Sequence, residues 1–97
     1  MQEDFIQLLY LSNAKPELKQ AELDRILEVS RKNNPSRDIT GLLVFANGVF
    51  IQVLEGPSSE VTNLFETICD DTRHQEVAML GEYVGQERIF SKWSMGF

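Results

Sequence analysis

Little in this sequence invites covalent or metal chemistry. It holds one cysteine, Cys69, and one histidine, His74. A lone thiol forms no internal disulfide, and one thiol with one imidazole falls short of a cysteine- or histidine-based metal site. Positive charge is scarce too: nine Lys and Arg stand against fifteen Asp and Glu, a net charge of −6. Nonspecific binding to nucleic acid or to an anionic membrane needs the opposite balance. No apolar run approaches the roughly 18 residues that a membrane span requires. The N-terminus, "MQEDF", is acidic and lacks a signal peptide's basic start. Repeats, low-complexity tracts and internal linkers are also missing. These absences together predict a cytoplasmic protein in a reducing compartment.

What remains is one small domain, 1–97, with 42 % apolar and 25 % charged residues, the balance of a soluble globular fold. A chain this short buries a modest core, so a bound cofactor would add materially to its stability.

Hydrophobic spacing predicts the elements. "FIQLLYLS" (Phe5–Ser12) reads as a strand with both faces largely apolar. "AELDRILEVSRKNN" (Ala21–Asn34) reads as a helix whose apolar stripe is Leu23, Ile26 and Leu27, continuing to Ser30 and Asn34 and ending before Pro35. "DITGLLVF" and "VFIQVLE" read as strands joined through Asn47-Gly48, a strong signal for a tight hairpin. The second has both faces apolar, Val49, Ile51 and Val53 on one and Phe50 and Leu54 on the other, and is expected buried inside the sheet. "PSSEVTNLFETICDD" is a second amphipathic helix, with Val61, Leu64, Phe65 and Ile68 on its stripe. "EVAMLGEYVG" is a fourth strand, and "ERIFSKWSMGF" supplies a turn and a terminal strand. The order β-α-β-β-α-β with an additional C-terminal strand predicts an α+β, ferredoxin-like fold, two helices on one face of the sheet, strands one and three adjacent at its centre. That fold alone decides no function.

Three polar side chains occupy apolar places. Tyr10 shares a strand face with Ile6 and Leu8; Gln52 shares one with Phe50 and Leu54; Asn34 ends the helical stripe. A buried amide left unpaired costs roughly 1–3 kcal/mol, so Gln52 needs partners. Two readings stay open on the residues alone: a satisfied polar network that fixes register, or a polar, planar ligand held between the helices.

Five segments, "LLYLS", "RKNNPSRDITGLLVF", "FIQVLEGP", "DDTRH" and "WSMGF", closely resemble the BLUF domain, the blue-light sensor that uses flavin. The resemblance runs from about Phe5 to Phe97, in order and at family spacing. It implies a flavin whose isoalloxazine lies between the two helices. Tyr10 matches the electron- and proton-donating tyrosine, and Gln52 the glutamine that bridges tyrosine and flavin. Asn34 matches the asparagine on the flavin's polar edge, and Ser30 and Asn33 fall at neighbouring pocket positions. Trp93 and Met95 match the terminal-strand pair beside the glutamine, the implied signal output. Two apart on a regular strand, they would share a face.

The implied cycle turns over no substrate. Light drives transfer from the tyrosine, the glutamine's hydrogen bonds rearrange, absorption moves slightly to the red, and the state decays in the dark. The implied cofactor is FAD. Many family members carry Arg or Lys on helix two where this chain has Thr67, so FMN and riboflavin stay open. Arg31, Lys32 and Arg73 remain either as phosphate partners or as solvated surface charges. The implied partners are flavin and a downstream protein or effector domain. The sheet's second face, which C-terminal helices commonly cover in the family, would favour a homo-oligomer if exposed. The alternative is a non-photoactive interaction module of the same fold that binds no flavin. A small hydrolase would need a catalytic constellation that is not found. Cys69 reads as a small apolar residue beside the second helix's stripe, and His74 as part of the loop that closes that helix.

Overall fold

The computed structural model of the chain describes residues 4–85, 87–91, 93 and 95–97. Its elements are β1 (Phe5–Ala14), α1 (Gln20–Asn33), a 3-10 turn (Asn34–Arg37), β2 (Thr40–Ala46), β3 (Val49–Pro57), α2 (Ser58–Asp70) and β4 (His74–Gly85). The four strands form one antiparallel sheet in the order β2-β3-β1-β4. This is the ferredoxin-like arrangement, with β1 and β3 central.

Alternation along the central strands builds the core. Ile6, Leu8 and Tyr10 of β1 and Phe50 and Leu54 of β3 are buried together with Leu23 and Leu27 of α1 and Val61 of α2. Both helices therefore cover the same sheet face. Asn47 and Gly48 both have positive φ, 53° and 76°, the twist that a two-residue hairpin between β2 and β3 demands.

Three expectations change. The β3 face bearing Val49, Ile51 and Val53 is not buried like its partner; Ile51 is 39 % exposed. The α-helix stops at Asn33, one residue early, and the chain tightens into a 3-10 turn that takes Pro35 in its first positions. Proline fits there because the N–H it lacks has no intrahelical partner at a helix start. The turn closes at Asp38, in the left-handed conformation.

The third change is in the tail. The described tail residues join the free edge of β2 through a parallel bridge, Leu42 to Gly96. Gly41 N–H donates to Trp93 O at 3.0 Å, Gly96 N–H to Gly41 O at 3.0 Å and Leu43 N–H to Gly96 O at 2.9 Å. Residues 92 and 94 of the expected strand lie outside the described residues. Trp93 and Met95 do not share a face: Met95 is 3 % exposed and Trp93 49 %. Two-residue periodicity holds only on a regular strand, and the tail bends here. Among the described residues, no helix is long and apolar enough to cross a membrane.

Candidate functional site

The helices do not close over the sheet completely. A slot of about 120 Å³ opens between them. Ile26, Val29 and Ser30 line it from α1, and Leu64, Thr67 and Ile68 from α2. On each helix these positions are three and four residues apart, so they share one face. Gln52 lies within it, and Asp71, Arg73 and His74 form a polar side where the chain leaves α2 for β4. Aliphatic walls with polar groups at floor and rim suit a flat heteroaromatic ring.

The register of β1 and β3 sets Tyr10 directly opposite Gln52. Both point to the helix side, where cross-strand side chains meet. Tyr10 donates its phenolic hydrogen to Gln52 Oε1. Gln52 Nε2 donates to Met95 Sδ at 3.3 Å. The glutamine is thus held from both ends, its carbonyl by β1 and its amide N–H by the tail. Burial pushes the Tyr10 phenol well above its ordinary pKa, with the nearby Cys69 and Asp71 adding to the effect. The Phe65 ring of α2 packs over Tyr10, centroids 5.5 Å apart.

His74 opens β4 rather than closing a loop, and it is buried. Its Nδ1 is 2.8 Å from Ser12 Oγ, and its ring lies 4.5 Å from the Phe50 ring and 6.2 Å, edge-on, from Tyr10. The argument that singled out Gln52 applies equally to Ser12. It is a polar residue at a buried alternating position after Ile6, Leu8 and Tyr10, and so requires a partner. Arg73 and Asp71 pair at 2.6 Å, and the Arg73 hydrogen bonds hold the Asp71 carboxyl below the usual range.

Other residues singled out in the sequence lie elsewhere. Ser30 lines the slot. Asn34 is 1 % exposed and its carbonyl accepts the Ile39 N–H at 3.0 Å, but it is not among the lining residues. Asn33 and Lys32 are exposed and also outside the lining. Arg31 donates from Nε to the carbonyl of Met95 at 3.0 Å, so it ties α1 to the tail. Trp93 stacks on Phe90, centroids 5.6 Å apart, away from Gln52's bonds.

Burial depresses the His74 pKa below its ordinary value, outweighing the attraction of Asp71. The neutral ring is therefore the folded form at pH 7. An unfolded chain protonates His74 near pH 6.5, before the folded chain does, so stability falls as pH drops through 6.5 toward the folded pKa. Melting temperature is expected to decline as pH falls below about 6.5, and His74→Gln to flatten that slope. A thermal melt series across that range checks it. The depressed carboxyls, Asp71 and Glu55, titrate at lower pH and do not confuse the reading.

These features define a class: a ferredoxin-like domain with an interhelical slot and, lining it, a glutamine bonded to a tyrosine that is fully buried behind it, outside the lining. The family model "Sensors of blue-light using FAD" matches residues 5–96. The chain belongs to this family, BLUF. It is 36 % identical over 89 residues to the photoactivated adenylate cyclase subunit beta of Euglena gracilis, a match covering 91 % of this chain and 10 % of that one. The chain thus spans about a tenth of that relative's length. The dark-state structure of BlrB, a BLUF protein, superposes with a TM-score of 0.94 at 32 % identity, over 99 % of this chain and 73 % of that one. Klebsiella pneumoniae BlrP1 with FMN and cyclic diGMP superposes at 0.88 and 32 % identity, over 95 % of this chain and 25 % of that one. BLUF domains are flavin-binding blue-light sensor modules that signal to fused or partner domains.

Proposed function

We propose that this chain senses blue light through a flavin held noncovalently between α1 and α2, and that Tyr10 and Gln52 carry the photochemistry. The observation that carries the reading is the continuous chain from Tyr10 through Gln52 to Met95, set against the slot. When bound, the flavin supplies the blue absorption and an excited ring that accepts an electron.

Tyr10 gives up that electron. A phenol is protonated at neutral pH, and burial of Tyr10 favours that form further, so the proton leaves only when electron loss makes the phenol strongly acidic. Gln52 Oε1 is the atom that receives it. As electron and proton return, the amide settles with its donor and acceptor ends exchanged. Its NH₂ then faces Tyr10, and Met95 Sδ loses the hydrogen it accepted. Met95 moves, and Arg31, bonded to its carbonyl, carries the change to α1. Asn34, Asn33 and Ser30 are assigned to the flavin's polar edge; Lys32 is exposed and outside the slot's lining, so no charged partner is assigned to the phosphate. Arg31 and Arg73 are bonded to protein groups instead. No substrate is turned over. The receiver is a downstream protein, an effector domain or a second copy. The part-exposed apolar face at Val44 and Ile51 supports such contacts.

Purification tests the reading. The protein is expected to be yellow and to release intact flavin on denaturation. A colourless protein that takes up no added flavin returns it to a plain interaction module.

The cofactor is proposed as FAD with weak selectivity. Thr67 donates its hydroxyl to Asn63 O at 3.1 Å and brings no charge to the slot. One missing charge-assisted bond is worth about 1.5–3 kcal/mol, or about one to two decades in affinity. Titration of flavin-free protein is expected to show FAD, FMN and riboflavin within about tenfold of one another. A preference for FAD of about a hundredfold or more contradicts this.

A further inference from the structure

Glu55 lies three residues beyond Gln52 on β3 and points to the opposite sheet face. It is 0 % exposed, an uncommon place for a carboxylate. It has four donors. Oε2 accepts from Ile89 N–H at 2.9 Å and Gln7 Nε2 at 3.1 Å; Oε1 accepts from Phe90 N–H at 2.6 Å and Thr40 Oγ1 at 2.8 Å. Burial alone would raise its pKa; these hydrogen bonds overturn that and hold the carboxyl below the usual range.

The two backbone N–H groups belong to the segment that leaves β4 and crosses to the edge of β2. Arg88 secures the same segment, bonding Thr40 Oγ1 at 2.9 Å and Asp38 O at 2.7 Å, with its guanidinium 5.2 Å above the Phe5 ring. From Phe90 the bonds continue through the described residues of the tail. Its carbonyl accepts Trp93 N–H at 2.9 Å, Trp93 O accepts Gly41 N–H at 3.0 Å, and Gly96 closes on Gly41 and Leu43. Met95 sits inside this last loop, with its sulfur on Gln52.

We propose that Glu55 is a positioning residue for the sensing glutamine: by holding Ile89 and Phe90 from the far sheet face, it sets where Met95 Sδ meets the Gln52 amide. The inference rests on the sensor reading above for its functional meaning. A carboxylate is required because each of its oxygens serves one backbone N–H. A glutamine has one oxygen and one NH₂, so Glu55→Gln turns a donor toward a donor and strips one N–H of its acceptor.

The test uses the full flavin-loaded chain with methyl-labelled methionine, Met95 being assigned from Met95→Leu. In Glu55→Gln, amide exchange at Ile89 or Phe90 is expected to speed up by about tenfold, the weight of one lost hydrogen bond. In the dark, the Met95 methyl resonance is expected to move toward that of an exposed methionine. Dark recovery after blue light changes by about threefold or more, while the red shift keeps its size because Tyr10 and Gln52 are untouched. Faster exchange with an unmoved Met95 methyl and unchanged recovery would leave Glu55 a purely structural group and overturn the proposal. Unchanged exchange at both amides would overturn it as well. Should Glu55→Gln not fold, Thr40→Val decides: it removes one hydroxyl from Oε1 and must shift the Met95 methyl in the same direction, by less. The exchange and methyl readouts need no light, so a wild type without a photocycle would sink the sensor reading while these two still judge the clasp.

Discussion

Tyr10→Phe is expected to bind flavin and to show no reversible red shift under blue light. The substitution keeps the ring against Phe65 and removes only the hydroxyl, so the slot's walls, Ile26, Val29, Leu64 and Ile68, are unaltered. What disappears is the group proposed to supply electron and proton together, and the hydrogen bond that holds Gln52 Oε1. The carbonyl left without its donor costs about 1–3 kcal/mol, so a lower melting temperature accompanies the lost signal. Difference spectra before and after illumination, on protein with matched flavin content, provide the check. A full photocycle in this variant would remove Tyr10 from the mechanism.

Phe50→Ala gives the largest expected loss of stability. Phe50 is fully buried between Phe45, at 4.7 Å, and the His74 ring, at 4.5 Å. Emptying a buried phenylalanine site costs about 3–5 kcal/mol, and a domain of this size loses about 4–8 °C for each. The melting temperature is therefore expected to fall by about 12–40 °C. Saturating flavin restores part of that, about 2.7 kcal/mol at a hundred times its dissociation constant, because only the folded chain offers the slot. Ile51→Ala, one residue along on the exposed face, is the control and should cost about 1 kcal/mol or less. Thermal melts with and without flavin read all three quantities. Equal losses at positions 50 and 51 would mean that the helices do not pack on the Phe50 face.

The residues that repeat at two- and three-to-four-residue spacing disclosed the element order before any coordinates, and Asn47-Gly48 disclosed the hairpin. Those signals are local, set by backbone geometry and by which side of an element is apolar. The adjacency of Tyr10 and Gln52 was legible for a related reason: both are polar at buried positions of alternating strands, and the topology makes those strands neighbours. Ser12 carries the same signal, and its partner is the buried His74. The tail was not legible. Its path depends on Glu55 from the far sheet face, on Arg31 from α1 and on the edge amides of β2, all distant in sequence. No periodicity encodes such bonds, so a regular strand with Trp93 and Met95 side by side was the natural expectation. The role of Arg31 was hidden likewise, since an exposed helical arginine looks the same whether it meets a phosphate or a backbone carbonyl.

The most direct test of the account is the light-minus-dark absorption spectrum of the flavin-loaded wild type, recorded through repeated cycles of blue light and darkness. The account predicts a small red shift of the flavin bands that forms on illumination, decays fully in the dark and returns undiminished with each cycle. Flavin that stays unshifted, or that bleaches without dark recovery, would contradict it.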